Sequence, residues 1–246
     1  MDPLAVIADI HGNADALDAV LSDIAARGVR RIVALGDHLS GPLAARECAD
    51  LLVARQITCI RGNHDRYLTE QAPEDMIPSD RVAFDQIGPH HMDWLRGLPP
   101  TLHLPEGIFL CHGTPESDTT YWLDTLGPGG EAQLRTRAEI EALAVVPASL
   151  TLCAHTHFPR RVDLPDGRVI LNPGSVGCPG YTDDHPVPHV MEAATPAACY
   201  AIVEPRATGW ASSFHHVPYD TTRMVAFARQ HGRETWARAI GTGWVR

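Results

Sequence analysis

Over the first sixty residues, short apolar runs alternate with longer stretches whose apolar positions recur every three to four residues. Residues 4–8, 31–35 and 57–60 are too short for helices and predict strands, while residues 14–26 and 43–54 carry helical periodicity. Strand-helix-strand-helix-strand order predicts a parallel α/β arrangement, in which ligands collect beyond the carboxyl ends of the strands. Each of these three strands runs directly into a polar motif. Residues 66–100 read as an insertion, with turn residues at 73–80 and then a helix ending near Trp94 and Leu95. Strands are expected at 102–104 and 108–111, and again at 149–153, 161–164 and 169–171. The last two are joined by a hairpin across Pro165-Asp166-Gly167. Residues 178–196 read as a long loop, 199–203 with 210–217 as a closing strand pair, and Asp220 as the cap of a helix from about Thr221.

At 246 residues, 44% hydrophobic and 20% charged, the chain has the make-up of a globular protein, expected to form one domain over residues 1–246. No apolar run approaches the roughly 18 residues that span a bilayer. The N-terminal residues lack the basic, apolar and cleavage segments of a secretory leader, which predicts a cytoplasmic location with no membrane partner. The net charge of −10 and the lack of a Lys/Arg cluster argue against a nucleic-acid polymer as partner, so any phosphate must be met locally. Oligomeric state is not readable. The six cysteines show no CxxC spacing, and Cys59, Cys111 and Cys153 lie in apolar runs, so buried thiols are expected. Among the 14 histidines, His90-His91 and His215-His216 sit in surface-like contexts.

Five strand ends carry metal-ligand chemistry. Asp9-Ile10-His11 follows the first strand, and its i, i+2 spacing lets carboxylate and imidazole converge on one ion. Gly36-Asp37 ends the second, where the aspartate has two oxygens to offer to two cations. Gly62-Asn63-His64-Asp65 closes the third with an amide, an imidazole and a carboxylate in succession. His112-Gly113 follows the strand at 108–111, and Ala154-His155-Thr156-His157 follows that at 149–153, again with an i, i+2 pair. Taken singly, each motif has an ordinary explanation as a cap, a turn or a satisfied structural histidine. Their recurrence at five strand ends favours a metal site. Mixed nitrogen and oxygen donors suit Mn, Fe, Co, Ni or Zn better than Mg or Ca, and the lack of cysteine ligands argues against a structural zinc knot.

The order D-x-H, G-D, G-N-H-D, H-G and x-H-T-H, over roughly residues 4–177, resembles the calcineurin-like metallophosphoesterase superfamily. His112-Gly113-Thr114-Pro115 and Asn172-Pro173-Gly174-Ser175-Val176-Gly177 are similar to motifs of its compact bacterial group of YfcE-type phosphodiesterases and dinucleoside-polyphosphatase-like relatives. The resemblance implies a four-layer α-β-β-α sandwich of two mixed β-sheets flanked by helices. It implies that Asp9, His11, Asp37 and His157 hold one divalent transition-metal ion and that Asp37, Asn63, His112 and His155 hold a second, with Asp37 bridging. Manganese is the ion expected first, with Fe, Co, Ni or Zn as alternatives. His64 matches the histidine that stands beside the metals and protonates the leaving oxygen. The implied reaction is in-line attack on a small phosphodiester or nucleotide-type ester by hydroxide generated at the metal pair.

Two departures bear on substrate class. Ala154 replaces the usual glycine of the G-H-T-H motif, a small change that leaves both imidazoles. After Asp37 the chain reads His38-Leu39-Ser40-Gly41-Pro42, where serine/threonine protein phosphatases carry aspartate-arginine-glycine, so their phosphate-gripping arginine and histidine-orienting aspartate are missing at these positions. A phosphomonoesterase, including a protein phosphatase, is the alternative enzyme reading. A non-catalytic scaffold of the same fold, like the superfamily's retromer subunit, is the third; it predicts lost ligands or a lost acid histidine, and this chain keeps both. Arg66, Tyr67, Tyr121, Trp122 and Tyr181 are candidate substrate contacts that packing explains equally well, and His38 reads equally as support or as exposed surface.

Overall fold

The computed structural model describes residues 2–246. Strand β1 (Leu4–Ile7), helix α1 (Ala14–Ala26), β2 (Arg31–Ala34), α2 (Ala45–Ala54) and β3 (Thr58–Cys59) follow the expected alternation. The strands pair in parallel, β1 with β2 and β2 with β3. Helix α1 begins where the Asn13 side chain accepts a hydrogen bond from the Ala16 N–H.

Residues 66–100 hold more structure than the expected single helix. Three helices stand here, α3 (Asn63–Glu70), α4 (Pro78–Gln86) and α5 (Pro89–Arg96), the latter two each opened by a proline in the first turn. Asn63 and His64 are therefore first-turn residues of α3, one step beyond the strand end. His91, expected at the surface, is buried: it accepts from the Gly88 N–H through Nδ1 and pairs with Asp50 through Nε2 at 2.9 Å.

The second sheet is built from β4 (Thr101–Leu104) and β5 (Ile108–Cys111), then, after a ribbon of β6 (Asp124–Leu126) and β7 (Ala132–Leu134) and helix α6 (Arg137–Leu143), from β8 (Leu150–Leu152), β9 (Pro159–Asp163) and β10 (Val169–Pro173). Its order is β4-β5-β8-β10-β9, with the central three strands parallel and both edges antiparallel. Residues 178–196 are not a plain loop, since β11 (Gly180–Asp183) and β12 (His189–Glu192) pair there as an antiparallel ribbon. The closing pair β13 (Ala198–Arg206) and β14 (Gly209–Val217) joins the first sheet in the order β14-β13-β1-β2-β3. Asp220 accepts from the Thr222 N–H at the start of α7 (Thr222–Gln230), and a further helix, α8 (Glu234–Thr242), follows it.

Side-chain alternation fixes the layers. Leu4 and Val6 of β1 meet Ile108 and Leu110 of β5 in a core between the two sheets, while Ala5 and Ile7 turn the other way onto α1 and α2. Phe109 and Cys111 point out of the second sheet onto Trp122 and Ile140, so α6 and its preceding segment make a thinner outer layer on that side. The arrangement is the four-layer α-β-β-α sandwich of mixed sheets. All six cysteines are buried free thiols, and Trp122 is core, its indole N–H donated to the Ile140 carbonyl. No described helix is long and apolar enough to cross a membrane.

Candidate metal centre

The carboxyl ends of β1, β2, β5 and β8 and the first turn of α3 meet at one edge of the sandwich. There Asp9, His11 and His157 bring one donor atom each within 4.8 Å of one another, and Asp37, His112 and His155 form a second such group. Asp37 links them: its Oδ2 lies 3.2 Å from His112 Nε2 and 3.8 Å from His11 Nε2, while Oδ1 accepts from the His64 N–H at 3.0 Å. Asn63 is buried in the same place, with its Oδ1 free of hydrogen bonds. All seven expected ligand positions and His64 are thus brought together.

The backbone is strained to put them there. Asp9, His11, Asp37, His155 and His157 all adopt positive φ, between 50° and 72°, a region that costs a non-glycine residue about 1 kcal/mol or more. Two glycines permit the close approach: a Cβ at Gly36 would collide with the Gly62 backbone, and one at Gly62 with the Asp37 carboxylate. Asp65 then ties the loops together, its carboxylate accepting from the N–H groups of Asp37 (2.8 Å), Gly62 (2.9 Å) and His38 (3.1 Å). His38 is fully buried, its Nε2 donating to the Ile60 carbonyl at 2.9 Å, so of its two readings the structure shows support.

Imidazole orientation is set by carbonyls. His11, His112 and His157 each place Nδ1 2.7 Å from a backbone oxygen, of Ser40, Leu35 and Cys178 respectively, which turns Nε2 toward the site. His155 is turned the other way, with Nε2 3.2 Å from the Thr119 carbonyl and Nδ1 left over. The Nε2 atoms of His11 and His157 are 3.2 Å apart, two lone pairs in contact. Both oxygens of the fully buried Asp9 lack any hydrogen-bond donor, as does His112 Nε2. Buried polar atoms are normally satisfied, and a cluster of orphaned acceptors fits divalent cations.

Protein groups alone perturb this cluster strongly. Burial pushes Asp9 up to about 8 and pulls His11 down to about 4. His155 falls to about 3 through burial and the neighbouring His112 charge. For His112 burial works downward, but the charge and hydrogen bond of Asp37, the Asp9 charge and the Leu35 carbonyl together outweigh it and hold the imidazole at about 10; Asp37, despite its burial, stays well below the ordinary carboxylate range beside that charge. His64 is likewise lowered by burial but raised more by Asp37 and by Asp80, to about 9.

The site contains residues that the sequence motifs do not mark. Asp80, from α4, accepts from His64 Nδ1 at 2.9 Å, which supplies from the insertion the histidine-orienting carboxylate missing after Asp37. Ser175 Oγ donates to the Asp9 carbonyl, and Asn172 Nδ2 to the Ala154 carbonyl, so the Asn172–Gly177 motif braces two ligand loops. His11, Asp37, Asn63, His64, His155 and His157 line a cavity of about 1020 Å³. Tyr67, Tyr121 and Tyr181 also face it, whereas Arg66 is engaged bidentately by Asp118 and Trp122 is core.

A family model described as the calcineurin-like phosphoesterase superfamily domain matches residues 3–195, most of the chain. The chain belongs to the calcineurin-like phosphoesterase superfamily. Among solved structures of this superfamily's fold, it is similar to a metallophosphoesterase from Sphaerobacter thermophilus, at 26% identity and TM-score 0.76 over 98% of this chain and 100% of that one. A hypothetical protein from Pyrococcus horikoshii shares the fold at TM-score 0.74 and 21% identity, covering 99% of both chains. An uncharacterized protein of Methanocaldococcus jannaschii is 45% identical over 64 residues, a stretch that spans 25% of this chain and only 26% of that protein's length.

Proposed function

We propose that this superfamily member is a metal-dependent phosphoesterase that hydrolyses small phosphodiesters or nucleotide-type esters at a pair of divalent cations, manganese first among them. The observation that carries this reading is the set of orphaned acceptors, Asp9 Oδ1 and Oδ2 and Asn63 Oδ1, all buried beside the two groups of donor atoms. Asp9, His11 and His157, with Asp37, would hold one cation; Asp37, Asn63, His112 and His155 would hold the other. Such a pair supplies positive charge for the phosphate oxygens and acidity for an attacking water.

The chain's own residues do the rest. Asp37 reaches both donor groups through one carboxylate, fixing their spacing. The carbonyls of Ser40, Leu35 and Cys178 keep three imidazoles in the tautomer that presents Nε2. His64, held through Nδ1 by Asp80, keeps Nε2 for the cavity, where a protonated imidazole gives its proton to the departing oxygen. An oriented acid histidine supports turnover over a scaffold role. The cavity of about 1020 Å³ is at the upper end of ligand pockets and favours an ester with two sizeable substituents over a small monoester.

The test is a metal-reconstituted activity screen across bis-aryl phosphates, cyclic nucleotides, dinucleoside polyphosphates and phosphomonoesters, each with a chelated control. Metal-dependent turnover with diesters or nucleotide esters ahead of monoesters is expected. Turnover that survives complete removal of metal, or a uniform preference for monoesters, overturns the reading.

A further inference from the structure

Helices α7 and α8 lie beyond the residues 3–195 that the family model matches, yet the turn between them forms part of the cavity wall. Gly232, at φ 67°, lets the chain reverse, and Arg233 is then fixed by donating its N–H to the Ala228 carbonyl at 2.8 Å. Trp236 follows one helical turn later and so shares the face of Arg233; both line the cavity that holds His11, Asn63 and His64. The indole stands edge to face against the His11 ring, with centroids 5.9 Å apart and planes at 69°. An aromatic surface is thereby placed directly beside a candidate metal ligand.

Arg233 differs from its neighbours in that its guanidinium has neither an ion-pair nor a hydrogen-bond partner among the described residues. Arg223 is held by Asp15 and Glu47, Arg229 takes the carboxylate of Glu234, and Arg238 donates to the Val245 carbonyl. Arg135, the other arginine on the cavity wall, donates to the Tyr121 carbonyl and lies 3.8 Å from Glu139. Among the described residues no carboxylate lies within ion-pair distance of the Arg233 guanidinium, although the chain carries a net charge of −10. A half-buried guanidinium facing a cavity is a fork for anionic oxygens, and an aromatic side chain beside it is a platform for a flat ring.

We infer that Arg233 and Trp236 form a subsite for the part of the ester that is not attacked, and that it takes a group combining an aromatic ring with a further negative charge, the chemistry of a nucleoside diphosphate moiety. The assignment rests on the phosphoesterase reading for its place in the reaction, but its test is an equilibrium one. With manganese present, calorimetric titration compares inorganic phosphate with the methylene analogue of ADP, whose P–C–P bridge resists hydrolysis, on wild type, Arg233→Gln, Arg233→Lys and Trp236→Leu. Thermal melts establish that the variants are folded.

The ratio of nucleotide to phosphate affinity is expected to fall about tenfold or more in Arg233→Gln and in Trp236→Leu, the scale of one charge-assisted or stacking contact, with partial recovery in Arg233→Lys. A ratio unchanged within about twofold in both variants, or a wild type that binds the nucleotide no better than phosphate, overturns the subsite. Failure of the phosphoesterase reading shows separately, as a wild-type protein that hydrolyses no ester once metal is restored.

Discussion

His64 Nδ1 and Asp80 Oδ1 are 2.9 Å apart, joining the first turn of α3 to the first turn of α4 across 16 residues of sequence. Asp80 is only 1% exposed, and its second oxygen has no hydrogen-bond partner among the described residues, so its pairing with His64 stands nearly alone in a buried place. A buried carboxylate in that position orients the imidazole and stabilises its protonated form.

Two substitutions separate those effects. Asp80→Ala removes both orientation and charge and is expected to lower kcat by about 10–100-fold with KM little changed, the usual cost of losing an orienting partner. Asp80→Asn keeps an acceptor oxygen but loses the charge that helps raise His64. On the proposed mechanism the acid form is the active one, and a lower His64 pKa depletes it at lower pH, so the alkaline limb of the kcat profile should move to lower pH. A profile whose limb stays in place in both variants would leave Asp80 with a structural role only.

His64 itself should matter in proportion to how badly the leaving group needs a proton. His64→Ala is expected to retain both metals and to lose about 10²–10⁴-fold in kcat on an alkoxide leaving group, but much less on p-nitrophenolate. Paired kinetics on the two leaving groups, with metal analysis of the same samples, check this. Equal losses on both, or a missing metal, remove His64 from the acid role.

The Asp37 carboxylate sits within 3.2 Å of His112 Nε2 and 3.8 Å of His11 Nε2, one from each donor group. Asp37→Asn is therefore expected to weaken metal binding at both positions together and to abolish measurable turnover. Metal titration reading two independent affinities tests it: a variant that keeps two ions at wild-type affinity shows that Asp37 does not bridge.

The parts of this site that could be read in the sequence are those carried by adjacent residues. Asp9 and His11, or His155 and His157, lie two positions apart just past an apolar run, so strand period and ligand type are visible in the same few letters. Asp80 was invisible because its partner lies on a different helix and residues 66–100 have no motif to mark a turn of chain back toward the site. Strands β11 and β12 were hidden for another reason: each is only four residues long, Thr182 and Asp183 of β11 are exposed and polar, and β12 carries just two apolar residues, Val190 and Met191, so no apolar alternation distinguishes them from a loop. Trp236 reaches His11, and Arg233 the same cavity, only through tertiary packing across more than 220 residues of chain.

The same buried acceptors make the protein's stability depend on metal in a pH-dependent way. In chelated protein, Asp9 has a pKa raised from 3.8 to about 8, and His112 one raised from 6.5 to about 10. A raised folded-state value means that the group's contribution to stability is complete below its unfolded value and is lost as pH rises through the folded one. Between pH 7 and 9 both groups, together with His64 at about 9, therefore weaken the chelated fold as protons leave. The lowered histidines, His11 and His155, are already neutral throughout that window and contribute no slope. Bound cations replace those protons, since their ligands must be deprotonated, so metal affinity should rise with pH over the same range and binding should release protons. The drop in Tm caused by chelation is accordingly expected to be larger at pH 9 than at pH 7. Melts with and without chelator at the two pH values measure it, and a drop that is equal or smaller at pH 9 would show that Asp9 and His112 are not the groups the metals hold.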